Sequence, residues 1–228
     1  MKILLLAPNH DGQTWCHIAE CFEQLGHTVK SVDNRREESS MIPAIKLFKP
    51  DFVFCSREVN TIEPIRLAKR LNIPTACWNV DTKPDISGFG KMLELFDLVD
   101  TFYTVAYGSI LQYEELCKRT NVRWLPQGAM SPYHDKQIIT DADRIKYGCD
   151  VMFAGDLDGR LHEDRAPYLA AIRKRFHLKT YSHKQGNYLL NEQHSKASQC
   201  AKICLALSHT PSIDRYTSVR DWKIMGAG

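Results

Sequence analysis

The feature that most narrows the fold is a repeating alternation of short, continuous apolar runs with segments of helical period. "KILLLAP" is apolar almost without interruption, which suits a strand buried on both faces. The polar loop "NHDGQT" follows, then the amphipathic "WCHIAECFEQLG", which Gly26 ends. "HTVKSVD" reads as the second strand. "MIPAIKLFK" is helical, and Pro50 opens the third strand, "DFVFCS". "TIEPIRLAKRLN" reads as a helix with Thr61 as its cap and Pro64 in its first turn. "IPTACWNVD" is a fourth strand, "FGKMLELF" a short helix and "LVDTFYT" a fifth strand. "SILQYEELCKRT" is a helix capped by Ser109, and "VRWLPQG" is a sixth strand. Strands and helices in this rhythm predict βαβ units and a mostly parallel sheet.

After Gly128 the period lapses. Residues 129–148 mix Pro, Gly and many charges, and read as a linker and hinge. The alternation then restarts. "CDVMFAGDL", "HLKTYS" and "KICLALSH" are strands, with "HEDRAPYLAAIRKRF" and "NEQHSKASQCA" as helices between them. The expected organisation is α/β, with two Rossmann-like domains at 1–128 and 149–228. The second domain shows about three strands where an open α/β domain usually has roughly five. The ending "SVRDWKIMGAG" enters a helix that would lead to another strand, so the second domain is expected to be incomplete and to carry an unpaired sheet edge.

Composition excludes several classes. Thirty basic against 27 acidic residues, a net charge of +3, is too balanced to suggest a nucleic-acid surface. "MKILLLAP" is too short an apolar run for a secretion signal, and no stretch is long and apolar enough to span a membrane. The eight cysteines are scattered, with no C-x-x-C pair and no His at ligand spacing from Cys200 and Cys204. Most sit in apolar runs, which predicts buried free thiols in a reducing cytoplasm.

Three loops concentrate functional residue types, and all follow strand C-termini, where open α/β sheets bind ligands. In "APNHDGQT", Gly12 can expose backbone N–H groups to an anion, and His10 and Asp11 can give acid–base contacts. The loop lacks both the dinucleotide fingerprint and the P-loop pattern, so it also reads as an ordinary turn. In "CWNVDTKPD", Trp78, Asn79 and Asp81 suit stacking on and hydrogen-bonding a sugar; the competing reading puts Trp78 in the core. The third place joins "FAGDLDGRLHEDR", with Gly155 and Arg160, to "RYTSVRDWKIMGAG", with Tyr216, Thr217, Ser218 and Arg220. Hydroxyls, N–H groups and a guanidinium at a helix start suit a diphosphate. The alternative there is a capped helix start. Lys223 is expected on the solvent side. The Asp156-x-Asp158 pair reads as turn residues, and no metal is expected.

Taken together, two Rossmann-like halves, "FAGDL" at a strand end and the late "YTSVRDWKIMGAG" resemble the GT-B glycosyltransferases, and among them the CgeB-like, spore-maturation type. The family's block Ser-x-Arg-x-(aromatic)-Glu-x-x-(small)-x-Gly is matched at Ser218, Arg220, Trp222 and Gly228, with Lys223 where Glu is usual. The "CWNVDTKPD" stretch is similar to a Trp-x-x-Asp-x-Pro-like block through Trp78 and Asp81, with altered spacing before Pro84. The resemblance implies transfer of a sugar from a nucleotide-sugar co-substrate to an acceptor (glycan, protein or small molecule) in the cleft between domains, without a metal or other cofactor. It implies a donor diphosphate against Gly155 and the Tyr216–Arg220 loop. His10, Asp11 and Asp81 are then the candidates for acceptor activation. The other readings are a non-catalytic two-lobed binding module and a different sugar-nucleotide enzyme such as an epimerase.

Overall fold

The computed structural model describes residues 1–9, 14–35, 38–83, 85–157, 165–207 and 212–228. Its contacts divide the chain into two compact units. One is Met1–Pro126 with Thr210–Tyr216, and the other is Gln127–His209 with Thr217–Gly228.

The first unit contains β1 (Lys2–Leu6), α1 (Thr14–Gln24), β2 (Thr28–Val32), α2 (Glu38–Phe48), β3 (Phe52–Cys55) and α3 (Ile62–Arg70). It continues with β4 (Thr75–Asn79), α4 (Met92–Leu98), β5 (Thr101–Thr104), α5 (Ile110–Leu116) and β6 (Asn121–Trp124). The six strands form one sheet in the order β2-β1-β3-β4-β5-β6, and every pairing is parallel. Alternate side chains of a strand point to opposite faces, and both faces are covered. Leu4, Leu6, Val53, Cys55 and Cys77 pack on one side with Met41, Ile65, Phe96 and Tyr113 from the helices. Leu5, Phe54, Ala76 and Trp78 pack on the other side with Trp15 of α1. Burial on two faces is why these strands read as unbroken apolar runs.

The order of strands reverses at β1: β2 lies on one side of it and β3 on the other. The crevice at the carboxyl ends of β1 and β3 is therefore the switch point at which such sheets take ligands.

The second unit contains α6 (Asp141–Tyr147), β7 (Cys149–Ala154), α7 (Arg165–Arg173), β8 (Leu178–Tyr181), α8 (Glu192–Cys200), β9 (Ala201–Leu205) and α9 (Val219–Ala227). Its three strands are parallel in the order β8-β7-β9. Val151 and Phe153 face a cluster with Leu169 and Leu178. Met152 faces the other, with Tyr147, Tyr181 and Ala197. The α/β class with parallel sheets is as the sequence predicts.

Three expectations change. Residues 129–148 are not a featureless linker: they hold α6, whose Thr140 and Asp143 close a capping box, and they bury Met130, His134 and Tyr147. Thr61 occupies the cap position of α3 but makes no side-chain cap bond; its Oγ1 instead accepts from Asn34 Nδ2 at 3.0 Å. Ser109 stands at the cap of α5, likewise without a side-chain cap bond. All eight cysteines are free thiols, four of them buried and four half-buried.

Candidate functional site

The carboxyl edge of the first sheet is built on Asn34, which is fully buried just after β2. Its amide donates to the Leu6 carbonyl at 2.9 Å, to Ser56 Oγ at 3.0 Å and to Thr61 Oγ1 at 3.0 Å. One side chain thus ties the ends of β1 and β3 to the start of α3. A satisfied buried amide fixes geometry in a way an apolar residue cannot.

Above that floor lie Arg57 and Glu58, directly after β3. Arg57 Nη1 donates to Asn79 Oδ1 at 3.2 Å, Nη2 pairs with Asp81 Oδ2, and the guanidinium sits 5.6 Å from the Phe89 ring centroid. Asn79 is fully buried, and its Nδ2 donates to the Tyr113 hydroxyl at 3.1 Å. Burial pushes that phenol above its ordinary range, against the Asn79 hydrogen bond and the Arg57 charge. Asn79 therefore positions Arg57, and Asp81 is committed to an ion pair.

Glu58 differs from Asp81. It is half-buried, and among the described residues its carboxylate makes no hydrogen bond or ion pair. Burial raises its pKa, with Asp33 adding to the rise and the Arg57 and Arg35 charges opposing it. Those two guanidiniums are engaged elsewhere: Arg57 as above, and Arg35 with Asp33, through Nε at 3.3 Å and Nη2 at 3.3 Å.

Trp78 is a core residue, not a stacking platform. It is 5% exposed, lies edge-on to Trp15 with centroids 5.8 Å apart, and donates its indole N–H to the Leu125 carbonyl at 3.0 Å. Its place on β4 turns it to the α1 side, so the ring is covered by protein. His10, Asp11, Gly12 and Arg160 lie outside the described residues.

The second unit gathers positive charge at the carboxyl edge of its sheet. Arg165 and Arg220 each hold a guanidinium over the Phe153 ring, at 5.4 and 4.8 Å. Both donate to the Leu207 carbonyl, at 2.8 and 3.0 Å. Arg165 also donates to the Asp156 carbonyl at 3.0 Å, and Arg220 Nε to the Ala154 carbonyl. The two arginines lace the segments leaving β7 and β9.

These contacts bear on the loop expected to hold a diphosphate. Gly155 has φ +154°, and an added Cβ would collide with the Arg220 guanidinium. The glycine makes room for that arginine. Thr217 Oγ1 accepts from the Trp222 indole at 3.1 Å, and the Ser218 N–H donates to Asp221 Oδ2 at 2.7 Å. The start of α9 is therefore capped by its own carboxylate. Tyr216 belongs to the first unit, while Thr217, Ser218 and Arg220 belong to the second.

Lys223 is not on the solvent side. It is half-buried, and burial first, then the Arg220 charge, pulls its pKa down to about 8. His194 on α8 is 5% exposed and held neutral, pulled down to about 3 by burial and then by the charges of Lys223, His134 and Arg220. Among the described residues no group of three His, Cys, Asp or Glu side chains could hold a metal ion, and no helix is long and apolar enough to cross a membrane.

Sequence reasoning passed over Arg57, Glu58, Arg165 and His194, and set Lys223 on the solvent side. For Arg57 and Glu58 a signal was present: "SREVN" follows a strand directly, the same position that drew attention to the other loops.

No family model and no curated protein matches the chain. Among solved structures it is similar to SsfS6, a glycosyltransferase of Streptomyces sp. SF2575, at 12% identity and TM-score 0.48, over 90% of this chain and 75% of that one. It is also similar to MurG of Acinetobacter baumannii, at 11% identity and TM-score 0.45, over 91% of this chain and 66% of that one.

Proposed function

We infer that the protein transfers a sugar from a nucleotide-sugar donor to an acceptor, with the donor held by the second unit and the acceptor by the first. The observation that carries this reading is the pair of cations Arg220 and Lys223, with the neutral His194 ring beside them. A lysine half-buried beside a guanidinium is a costly arrangement in an empty protein. A bound diphosphate offsets that cost and holds both cations in their charged form. During transfer, charge develops on the departing phosphate oxygen, and preorganised cations stabilise it. Lys223 stands in this chain where the resembling family block carries Glu, so here the block favours an anion. The finer assignment to the CgeB-like type rests on that block, and the eight thiols suit a reducing compartment.

The test is thermal stabilisation by a panel of UDP-, GDP- and dTDP-linked hexoses and the free diphosphates, run with EDTA present. At least one nucleotide should stabilise the wild type, because the cations take the part a metal would play. Lys223→Met should weaken that nucleotide roughly ten- to a hundredfold, the worth of one charged hydrogen bond. No stabilisation by any nucleotide, or equal affinity in Lys223→Met, would overturn the reading.

A further inference from the structure

The carboxyl edge of the first sheet holds two acidic side chains close to Arg57, and they stand in different states. Asp81 is paired with the guanidinium. Glu58 is half-buried and makes no hydrogen bond or ion pair among the described residues, although Arg57 and Arg35 are both near enough to act on it. Each guanidinium is turned away by a better-placed partner, Asn79 and Asp81 for one and Asp33 for the other. Buried Asn34 fixes the loop ends around Glu58 by bonding Leu6, Ser56 and Thr61. Glu58 also follows β3 closely, at the carboxyl ends of β1 and β3, the switch point where a ligand of this sheet would sit. A carboxylate on a fixed loop, partly shielded from water and left without a proton donor, is suited to receive a proton from a ligand.

We propose that Glu58 is the catalytic base of the first unit and takes the proton of a hydroxyl-bearing acceptor bound at the carboxyl ends of β1 and β3. This rests on the transfer reading above. The acceptor oxygen attacks the anomeric carbon and forms the new C–O bond. The bond from that carbon to the donor phosphate oxygen breaks, and its electron pair leaves with the nucleoside diphosphate. The hydroxyl proton passes to Glu58 and from there to solvent. Asp81 and Asn79 are positioning residues that keep Arg57 off the Glu58 carboxylate.

The experiment uses the full chain and whichever nucleotide sugar stabilises it, with water as acceptor, and follows nucleoside diphosphate release across pH. In the wild type the rate should rise with pH as Glu58 ionises and then level off. Glu58→Gln should lower the rate about 10²- to 10⁴-fold and remove that limb, with nucleotide stabilisation unchanged. Glu58→Asp should restore part of it. Release at the wild-type rate in a folded Glu58→Gln protein that still binds nucleotide overturns the proposal and leaves the transfer reading standing. Absence of nucleotide binding in the wild type overturns the transfer reading, and this role for Glu58 with it. Independently, the Glu58 carboxyl should titrate above the ordinary glutamate value when followed by ¹³C resonance. Titration at the ordinary value overturns the proposal whatever the assay yields.

Discussion

A lysine amine and a histidine ring, each deprived of water, dominate the electrostatics of the second unit. Lys223 titrates near 8 in the folded chain against 10.5 when unperturbed. Between those values the unfolded chain binds more protons, so stability rises with pH across that window. Below about 8 the cost of the buried charge is fully present. Lys223→Met should therefore melt higher than the wild type at pH 7, and the gap should close as pH climbs toward 10.5. Calorimetric melts at pH 7, 8.5 and 10 check this; a gap independent of pH would mean that packing, not charge, sets the difference. His194 has the same sign. Its folded pKa near 3 lies below the ordinary 6.5, so the stability of its neutral form is lost as pH falls below about 6.5. One substitution at Lys223 should thus raise the stability of the empty protein and weaken its grip on a nucleotide, as expected where function is kept against stability.

Helix α9 shows how an element is fixed by what passes beside it. Gly226 lies inside this helix, where a Gly→Ala change ordinarily stabilises by about 1 kcal/mol. Here an added Cβ would fall 2.5 Å from the His134 carbonyl oxygen. That oxygen belongs to backbone held by buried Met130 and His134, whose Nδ1 accepts from the Met130 N–H at 3.0 Å. It cannot retreat cheaply. Gly226→Ala should therefore destabilise, by roughly 1–3 kcal/mol as overpacking does, and a urea titration reads the sign directly. The same contact explains what the sequence could and could not convey. The strands were legible because burial on both faces writes an apolar run into each of them. Gly155 drew attention as part of a strand-end loop, but that its space is filled by an arginine side chain is a tertiary fact. Residues 129–148 looked structureless because the polar face of α6, with Asp141, Asp143, Arg144 and Lys146, hides its period. The capping pair Thr140 and Asp143 was the readable trace of that helix. Glu58 and Lys223 carry charge, and a charged side chain in one sequence reads as surface until its neighbours are known.

At the scale of the whole molecule, neither unit is one continuous stretch of chain. Residues 212–216, between β9 and α9, belong with the first unit. Tyr216 forms an isolated antiparallel bridge with Ala106 and packs against the Trp15, Phe54, Trp78 and Val105 cluster. The Gly108 N–H donates to the Asp214 carbonyl at 3.0 Å, and an added Cβ at Gly108 would lie 3.0 Å from the Asp214 nitrogen. The Arg215 guanidinium covers the Tyr107 ring at 4.6 Å. Tyr216→Ala should accordingly loosen the first unit although it lies beside the sequence of the second. Amide exchange should quicken at Thr101–Ala106 and stay unchanged at Cys149–Ala154. Faster exchange in β7 with none in β5 would show that the segment serves the second unit instead.

That returning segment also sets a schedule for synthesis. The last strand of the first sheet leaves the ribosome roughly ninety residues before Tyr216 does. At ordinary elongation rates this is an interval of roughly 5 to 20 seconds. Throughout it, the nascent sheet carries the patch around Val105 and Tyr107 without its last covering strip. A chaperone that captures exposed apolar surface would have that interval in which to bind, before Tyr216 arrives to cover the patch.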